Sequence, residues 1–420
     1  MRLQRLGLPR LAGSVGLLLA LLVSSLGSGL YAPVSLLYFH DVAGLDLPTV
    51  GLTLSAGTLL ALPAGGLAGV LVDRVGARRV VAMAEALQGI GFLGYLGVTP
   101  VTGGTALLVT AFLVSAGQRL FWSSLFSLLA SISGAGERDR WYGLASAVQN
   151  AGLALGGLLT GVLVGTLGTA AFTLAVVANG GSSLLSAALL VLRVAEPARE
   201  RPAGATPGGY GALLADHAFL WLIASNAAFA VCSVMLVVGL PVYASEALAA
   251  PGWVVGAVFA MNTILLAALQ TVIVRALESH RRTRAMALAG VLWAAWCILL
   301  AGASIAPRQV LVPYLFAVTA MYTLAELVHA AVSTALAAAA SPEALRGRYL
   351  AGFQFSWSIA TIVAPTLFSV CYVAGPALPW LAVAGLALVA TAAVCRLETV
   401  LPAEAVRRAT APTARSVSTS

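Results

Sequence analysis

The sequence predicts an all-α membrane protein, with twelve transmembrane helices in two pseudo-symmetric six-helix bundles. Three observations carry this fold class. Hydrophobic residues make up 60% and charged residues 9% of 420 positions, with a mean hydropathy of +0.97, too apolar for a water-soluble fold and too long for one helix. Crossing a hydrocarbon core of roughly 30 Å takes about 20 residues at about 1.5 Å each, and apolar runs of that length occur twelve times. A stretch rich in Pro, Gly and charge, 193–216, divides the runs six and six.

In order, the spans cover 11–39, 49–72, 77–98, 105–133, 141–165, 169–192, 217–243, 252–275, 284–303, 310–338, 347–372 and 379–397. Residues 1–192 and 217–397 are then the two bundles, 193–216 a cytoplasmic linker and 398–420 a disordered cytoplasmic tail. The first run follows Arg2, Arg5 and Arg10, but its apolar stretch is longer than a signal peptide's, so it reads as a span. Gly27, Gly29 and Pro33 make it prone to kink. Near the eleventh, "SPEALRGRY" offers Ser341 as N-cap and Pro342 at the first turn.

Arginine fixes the expected orientation, because cytoplasmic loops keep positive charge. With both termini cytoplasmic, inner loops and tails hold 21 of the 23 basic residues; Arg308 falls outside and Arg119 lies within a span. Asp41, Asp46 and Glu246 sit on outer loops. The net charge of +8 therefore reads as a topology signal and a contact for anionic membrane lipids, not for nucleic acid. The chain has no lysine, which excludes a P-loop ATPase and lysine Schiff-base chemistry. Cys232, Cys297, Cys371 and Cys395 are scattered singly and read as small buried hydrophobes rather than metal ligands. No catalytic motif such as HExxH appears, so no cofactor, metal or enzymatic activity is expected. A sensor would need soluble domains, for which the tails are too short. A monomer is the expected state.

Shifting the chain by 208 places Pro33 on Pro241, Arg138 on Arg346 and Arg140 on Arg348, and sets the Gly69–Arg79 stretch on the loop holding Arg281, Arg282 and Arg284. A parallel repeat of six spans puts a substrate site between the halves near the midplane.

"GVLVDRVGARR" resembles the signature loop between helices 2 and 3 of the major facilitator superfamily, with Gly69, Asp73, Arg74, Gly76, Arg78 and Arg79 at the family's positions and Ala77 departing from it. Arg119, followed by "FWSSLF", is similar to the superfamily's helix-4 arginine motif without its later glycine. "GLASAVQNAGLALGGLLTG" resembles the helix-5 antiporter motif of drug:proton exporters: Gly143, Gly152, Gly156 and Gly161 match, Gly157 replaces its proline and Thr160 a glycine. The resemblance implies a secondary transporter working by alternating access, exporting lipophilic small molecules in exchange for protons. It also implies a cytoplasmic latch, Asp73 against the start of helix 11, formed when the protein faces outward and broken when it faces inward. Such partners answer a local problem: Asp73 at a helix C-terminus and Arg78 and Arg79 at a helix N-terminus all oppose the helix dipoles. The bland alternative is that these arginines only set topology.

Ionisable groups inside spans cost roughly 2.5–3.5 kcal/mol each at the helix centre, so each is a functional candidate. Arg119 lies 14 residues into its span and Glu326 16 into its own, with His329 three residues later on the same helix face. Glu85, eight residues into the third span, reads as interfacial. Glu326 is the expected proton carrier, with His329 sharing its proton; the alternative is a structural ion pair between Glu326 and Arg119. The first span carries no acid, unlike many drug:proton exporters, which keeps open a facilitator or importer of a small metabolite. Cavity candidates are Tyr31, Gln149, Asn150, Asn226, Asn262, Gln354 and Trp357, each equally able to glue helices together.

Overall fold

Each predicted span coincides with one helix. The computed structural model describes residues 15–133, 138–194, 211–277 and 279–406. Among them run α1 (Val15–Val42), α2 (Leu47–Val75), α3 (Ala77–Gly97), α4 (Gly103–Ile132), α5 (Arg138–Leu167) and α6 (Ala170–Arg193) in the first half. The second half holds α7 (His217–Val238), α8 (Trp253–Ala276), α9 (Arg282–Ala301), α10 (Arg308–Ala340), α11 (Arg346–Ala374) and α12 (Leu378–Val400). All twelve are long and apolar enough to span a bilayer, which makes this a multi-pass membrane protein.

Local chemistry sets where the helices start and break. Asp46 caps α2 by accepting the Thr49 N–H at 2.9 Å, and Asp216 caps α7 by accepting that of Phe219 at 3.0 Å. Pro33 lacks an N–H, and α1 there tightens into a 3₁₀ turn, Ala32–Val34, before ending in a π turn, Tyr38–Val42. Around Pro241, past the end of α7, a short helix Leu240–Val242 likewise leads into a π turn, Tyr243–Ala247. α2 divides at Ala61, ahead of Pro63, into Leu47–Leu60 and Leu62–Val75.

The twofold repeat recurs in the bonds. The Tyr38 hydroxyl donates to the Tyr95 carbonyl at 3.2 Å, and Tyr243 does the same to Leu300 at 2.8 Å. Arg78 donates to the carbonyls of Val191 and Val194 at the end of α6, and Arg282 to those of Glu404 and Ala405 beyond α12. Each guanidinium thereby satisfies carbonyls at a helix C-terminus, where positive charge suits the dipole.

Within the first half α1 packs on α5 and α6, and α3 on α4 and α6; within the second, α9 packs on α10 and α12, and α7 on α11 and α12. Trp293, Trp296 and Trp380 fill the second bundle's core. Between the halves, the Leu47–Leu60 segment of α2 lies on α11 and α5 lies on α8.

Several boundaries differ from expectation. Ser341 does not cap α11; its hydroxyl donates back to the Ala337 carbonyl at 2.6 Å and so belongs to α10. A 3₁₀ turn, Glu343–Leu345, follows, and α11 begins at Arg346 without a side-chain cap. Within the expected linker Gly211–Ala215 is helical, and residues 195–210 lie outside the described residues. The expected tail is helical through Val400 and again over Ala403–Val406, and residues 407–420 lie outside. Of the four cysteines, only Cys232 and Cys297 are buried, and Cys395 is exposed.

Candidate functional site

A cavity of about 860 Å³ separates the halves. The first half contributes Gly29, Pro33, Asn150 and Gly157; the second contributes Ser233, Phe259, Asn262, Tyr322, Glu326 and Trp357. It reaches from mid-depth to Gly143 and Gln270, toward the end of the molecule that carries Asp73 and Arg78. Among the described residues this arginine-rich end is open, while the opposite end is closed by contacts of α2 with α11 and of α5 with α8.

Three contacts make the seal. The Thr366 hydroxyl on α11 meets the Ser55 hydroxyl at 2.7 Å and the Gly51 carbonyl at 3.2 Å on α2. Gly161 of α5 lies against α8 so closely that a Cβ built on it would sit 3.1 Å from the Gly256 Cα. Beyond them His40 Nε2 faces Glu246 Oε1 at 3.6 Å, with His40 Nδ1 held on the Leu45 carbonyl at 3.0 Å. Burial is the main cause that raises the Glu246 carboxyl above its usual range.

Glu326 lines the cavity, and its Oε2 accepts from the Asn262 amide at 3.1 Å; the same amide reaches Thr323 at 3.1 Å. Arg119 donates instead to Ser358 on α11 at 2.9 Å. Each of the two expected ion-pair partners thus holds a neutral partner in this state.

His329 departs from expectation. Although three residues from Glu326, it turns to α7 and α9: its Nε2 meets the Asn226 amide oxygen at 2.9 Å, and its ring lies 5.2 Å from Trp293 and 5.9 Å from Phe229. Three residues span about 300° of helix, enough to aim two side chains at different neighbours. Asn226 donates onward to Ser356 at 2.5 Å, so it is a core residue rather than a cavity one.

Glu85 also departs, because it is only 1% exposed instead of interfacial. Ser24 of α1 donates to its Oε2 at 3.0 Å, and the Ser183 and Ser186 hydroxyls of α6 stand beside the same carboxyl. Glu85 lines a second cavity of about 470 Å³ inside the first half, with Gln88, Gln118 and Gln149. Asn150 lines both cavities.

Of the remaining cavity candidates, Asn150, Asn262 and Trp357 line the central space and Gln149 the second one. Tyr31 packs into an aromatic cluster with Phe92 at 5.0 Å and Tyr95 at 6.1 Å, and Gln354 is exposed. Sequence reasoning missed Ser24, Gln88, Gln118 and Ser358. The signal for the first two was present: Ser24, Ser25 and Ser28 share a face of α1, and Gln88 follows Glu85 by one turn.

The signature loop joins α2 to α3 through Gly76. Gly76 ends α2 with φ 93°, a conformation that requires glycine, whereas a Cβ on Gly69 would meet no atom of the described residues within contact distance. Asp73, Arg74 and Arg79 are exposed, and the Leu62–Val75 segment of α2 packs on α3 and α4 rather than on α11. In α5, Gly152 and Gly156 press on α1 while Gly157 and Gly161 face α8. Thr160, in the place of the motif's glycine, donates to the Leu30 carbonyl at 2.7 Å, just before α1 tightens at Ala32–Val34.

Residues 17–267 match the family model described as Major Facilitator Superfamily. The chain is 27% identical over 271 residues to multidrug resistance protein MdtH of Aeromonas hydrophila subsp. hydrophila, covering 64% of this chain and 65% of that protein. It is also 27% identical over 337 residues to the MdtH of Aeromonas salmonicida, covering 78% and 79% respectively. The crystal structure of nucleoside transporter NupG superposes with a TM-score of 0.71 at 14% identity, covering 91% of this chain and 98% of that one, a likeness of fold.

Proposed function

The chain belongs to the Major Facilitator Superfamily and is a secondary transporter rather than an enzyme; from that premise we propose that it exports lipophilic small molecules in exchange for protons. In this reading it sits in a bacterial inner membrane with both termini cytoplasmic, so the open end faces the cytoplasm. One observation supports the coupling: Glu326, the one carboxyl among the described residues that line the central cavity, is held by a neutral amide. A carboxyl so placed can lose a proton to the cavity and regain it once water or substrate reaches it. The largely apolar wall, with Phe259, Tyr322 and Trp357, suits hydrophobic, neutral or cationic molecules. Similarity to proteins named for multidrug resistance supports the same reading.

Proteoliposomes test it. The Glu326→Gln protein should still bind a lipophilic cation yet lose uptake driven by a pH gradient; unaltered driven uptake removes Glu326 from the mechanism. A facilitator or importer of a metabolite is the second reading, favoured by the first span's lack of an acid before Asp41. Direction of flux in inverted membrane vesicles separates the two.

A further inference from the structure

The two halves also meet at the arginine-poor end, through the π turns Tyr38–Val42 and Tyr243–Ala247. The tyrosines that open these turns make matching hydroxyl bonds, and Asp41 and Glu246 each follow their tyrosine by three residues. The repeat therefore sets one carboxylate from each half at equivalent places. Just before the turns, Ser35–Leu37 packs on Leu240–Val242, which brings the two carboxylates together. His40 joins them, and one ligand atom each from His40, Asp41 and Glu246 lie within 4.8 Å of one another.

The tautomer of His40 is set by its neighbour. A carbonyl only accepts, so the 3.0 Å contact with the Leu45 carbonyl places a proton on Nδ1, and in the neutral ring leaves the Nε2 lone pair toward Glu246. Metal-binding histidines are oriented by the same kind of bond. Nε2 and Glu246 Oε1 stand 3.6 Å apart, beyond hydrogen-bond distance. That separation is close to the about 3.4 Å between two ligands held about 2.1 Å from a tetrahedral ion. With the ring neutral, the group carries two negative charges from Asp41 and Glu246, whose repulsion a divalent cation relieves. One imidazole nitrogen with two carboxylates suits Zn²⁺ or Co²⁺, whereas Ca²⁺ and Mg²⁺ favour a shell of oxygens.

We propose that His40, Asp41 and Glu246 form a Zn²⁺ site that bridges the two halves at the arginine-poor end. Water completes the coordination, because His40 is half-buried and both carboxylates are exposed. His40 and Asp41 belong to the first half and Glu246 to the second, so the ligand set is complete only while that end is closed. Zn²⁺ accordingly favours the closed arrangement over the opposite one and holds it. The site acts in this way whatever the substrate and whichever way it moves.

Calorimetric titration of the full chain in lipid nanodiscs with ZnCl₂ tests the assignment. Wild type should bind Zn²⁺, and an equal concentration of MgCl₂ should not compete. His40→Ala in the first half and Glu246→Gln in the second should each weaken binding at least about tenfold, while His280→Ala, at the arginine-rich end, retains it. Zn²⁺ should also raise the Tm of wild type and leave that of His40→Ala and Glu246→Gln unmoved. No Zn²⁺ binding by wild type would overturn the proposal and leave a protonated His40 paired with Glu246. Wild-type affinity in Glu246→Gln would confine the metal to one half, and wild-type affinity in His40→Ala would place it elsewhere; either result also overturns it.

Discussion

At the scale of single residues, depth in the membrane was legible and partners were not. Glu326 and Arg119 could be placed near mid-bilayer by counting along their spans, because rise per residue is fixed. Their partners Asn262 and Ser358 come from α8 and α11, and no local pattern announces them. His329 shows the same limit: its spacing from Glu326 was right and its neighbours were not. Packed between Trp293 and Phe229 and bonded to Asn226, it holds three helices of the second bundle together, α7, α9 and α10. His329→Ala should cost about 3 kcal/mol of stability, from the cavity left and the stranded amide, seen as a lower Tm in detergent. Folded His329→Ala protein should keep its pH-gradient-driven transport, and loss of coupling at normal stability would return His329 to the proton path.

At the scale of elements, helix positions followed from hydropathy, while ends and breaks followed from capping and proline chemistry that sequence alone reads unevenly. Asp46 before Pro48 is a legible start. Ser341 looked equally good as an N-cap, yet α10 claims its hydroxyl because a serine can bond backward as readily as forward. Hydrogen bonds from Thr49 hold the Asp46 carboxyl below its usual range. A folded-state pKa below the unfolded one gives stability present above the unfolded value near 3.9 and lost as pH falls through the lowered folded value. Asp46→Ala should thus cost about 1 kcal/mol at neutral pH, and the difference from wild type should vanish in strongly acidic solution; a constant gap would show that the cap is not electrostatic. Thr160→Val removes the bond from α5 to the Leu30 carbonyl of α1 and should cost roughly 0.5–1 kcal/mol, measured as a small drop in Tm with α1 still inserted.

At the scale of the whole molecule, the two-bundle architecture was readable from the count of spans, the central linker and the 208-residue shift. Which end is closed was not, since one sequence must support both states. The seal depends on small residues: Gly161 and Gly256 meet where any side chain would force α5 and α8 apart, so Gly256→Leu should hold the arginine-poor end open and abolish net transport. Asp73 is exposed here, as a latch that forms only in the opposite state requires; Asp73→Asn should insert normally and lower turnover. The account rests on the two ends opening in alternation. Pulsed electron spin resonance on a cysteine-free background reads both ends, with one label pair on Arg79 and Arg348 and another on Val101 and Trp253. On adding substrate at an imposed pH gradient, the first distance should shorten as the second lengthens. Distances that stay fixed, or that change in the same direction, would contradict alternating access in this protein.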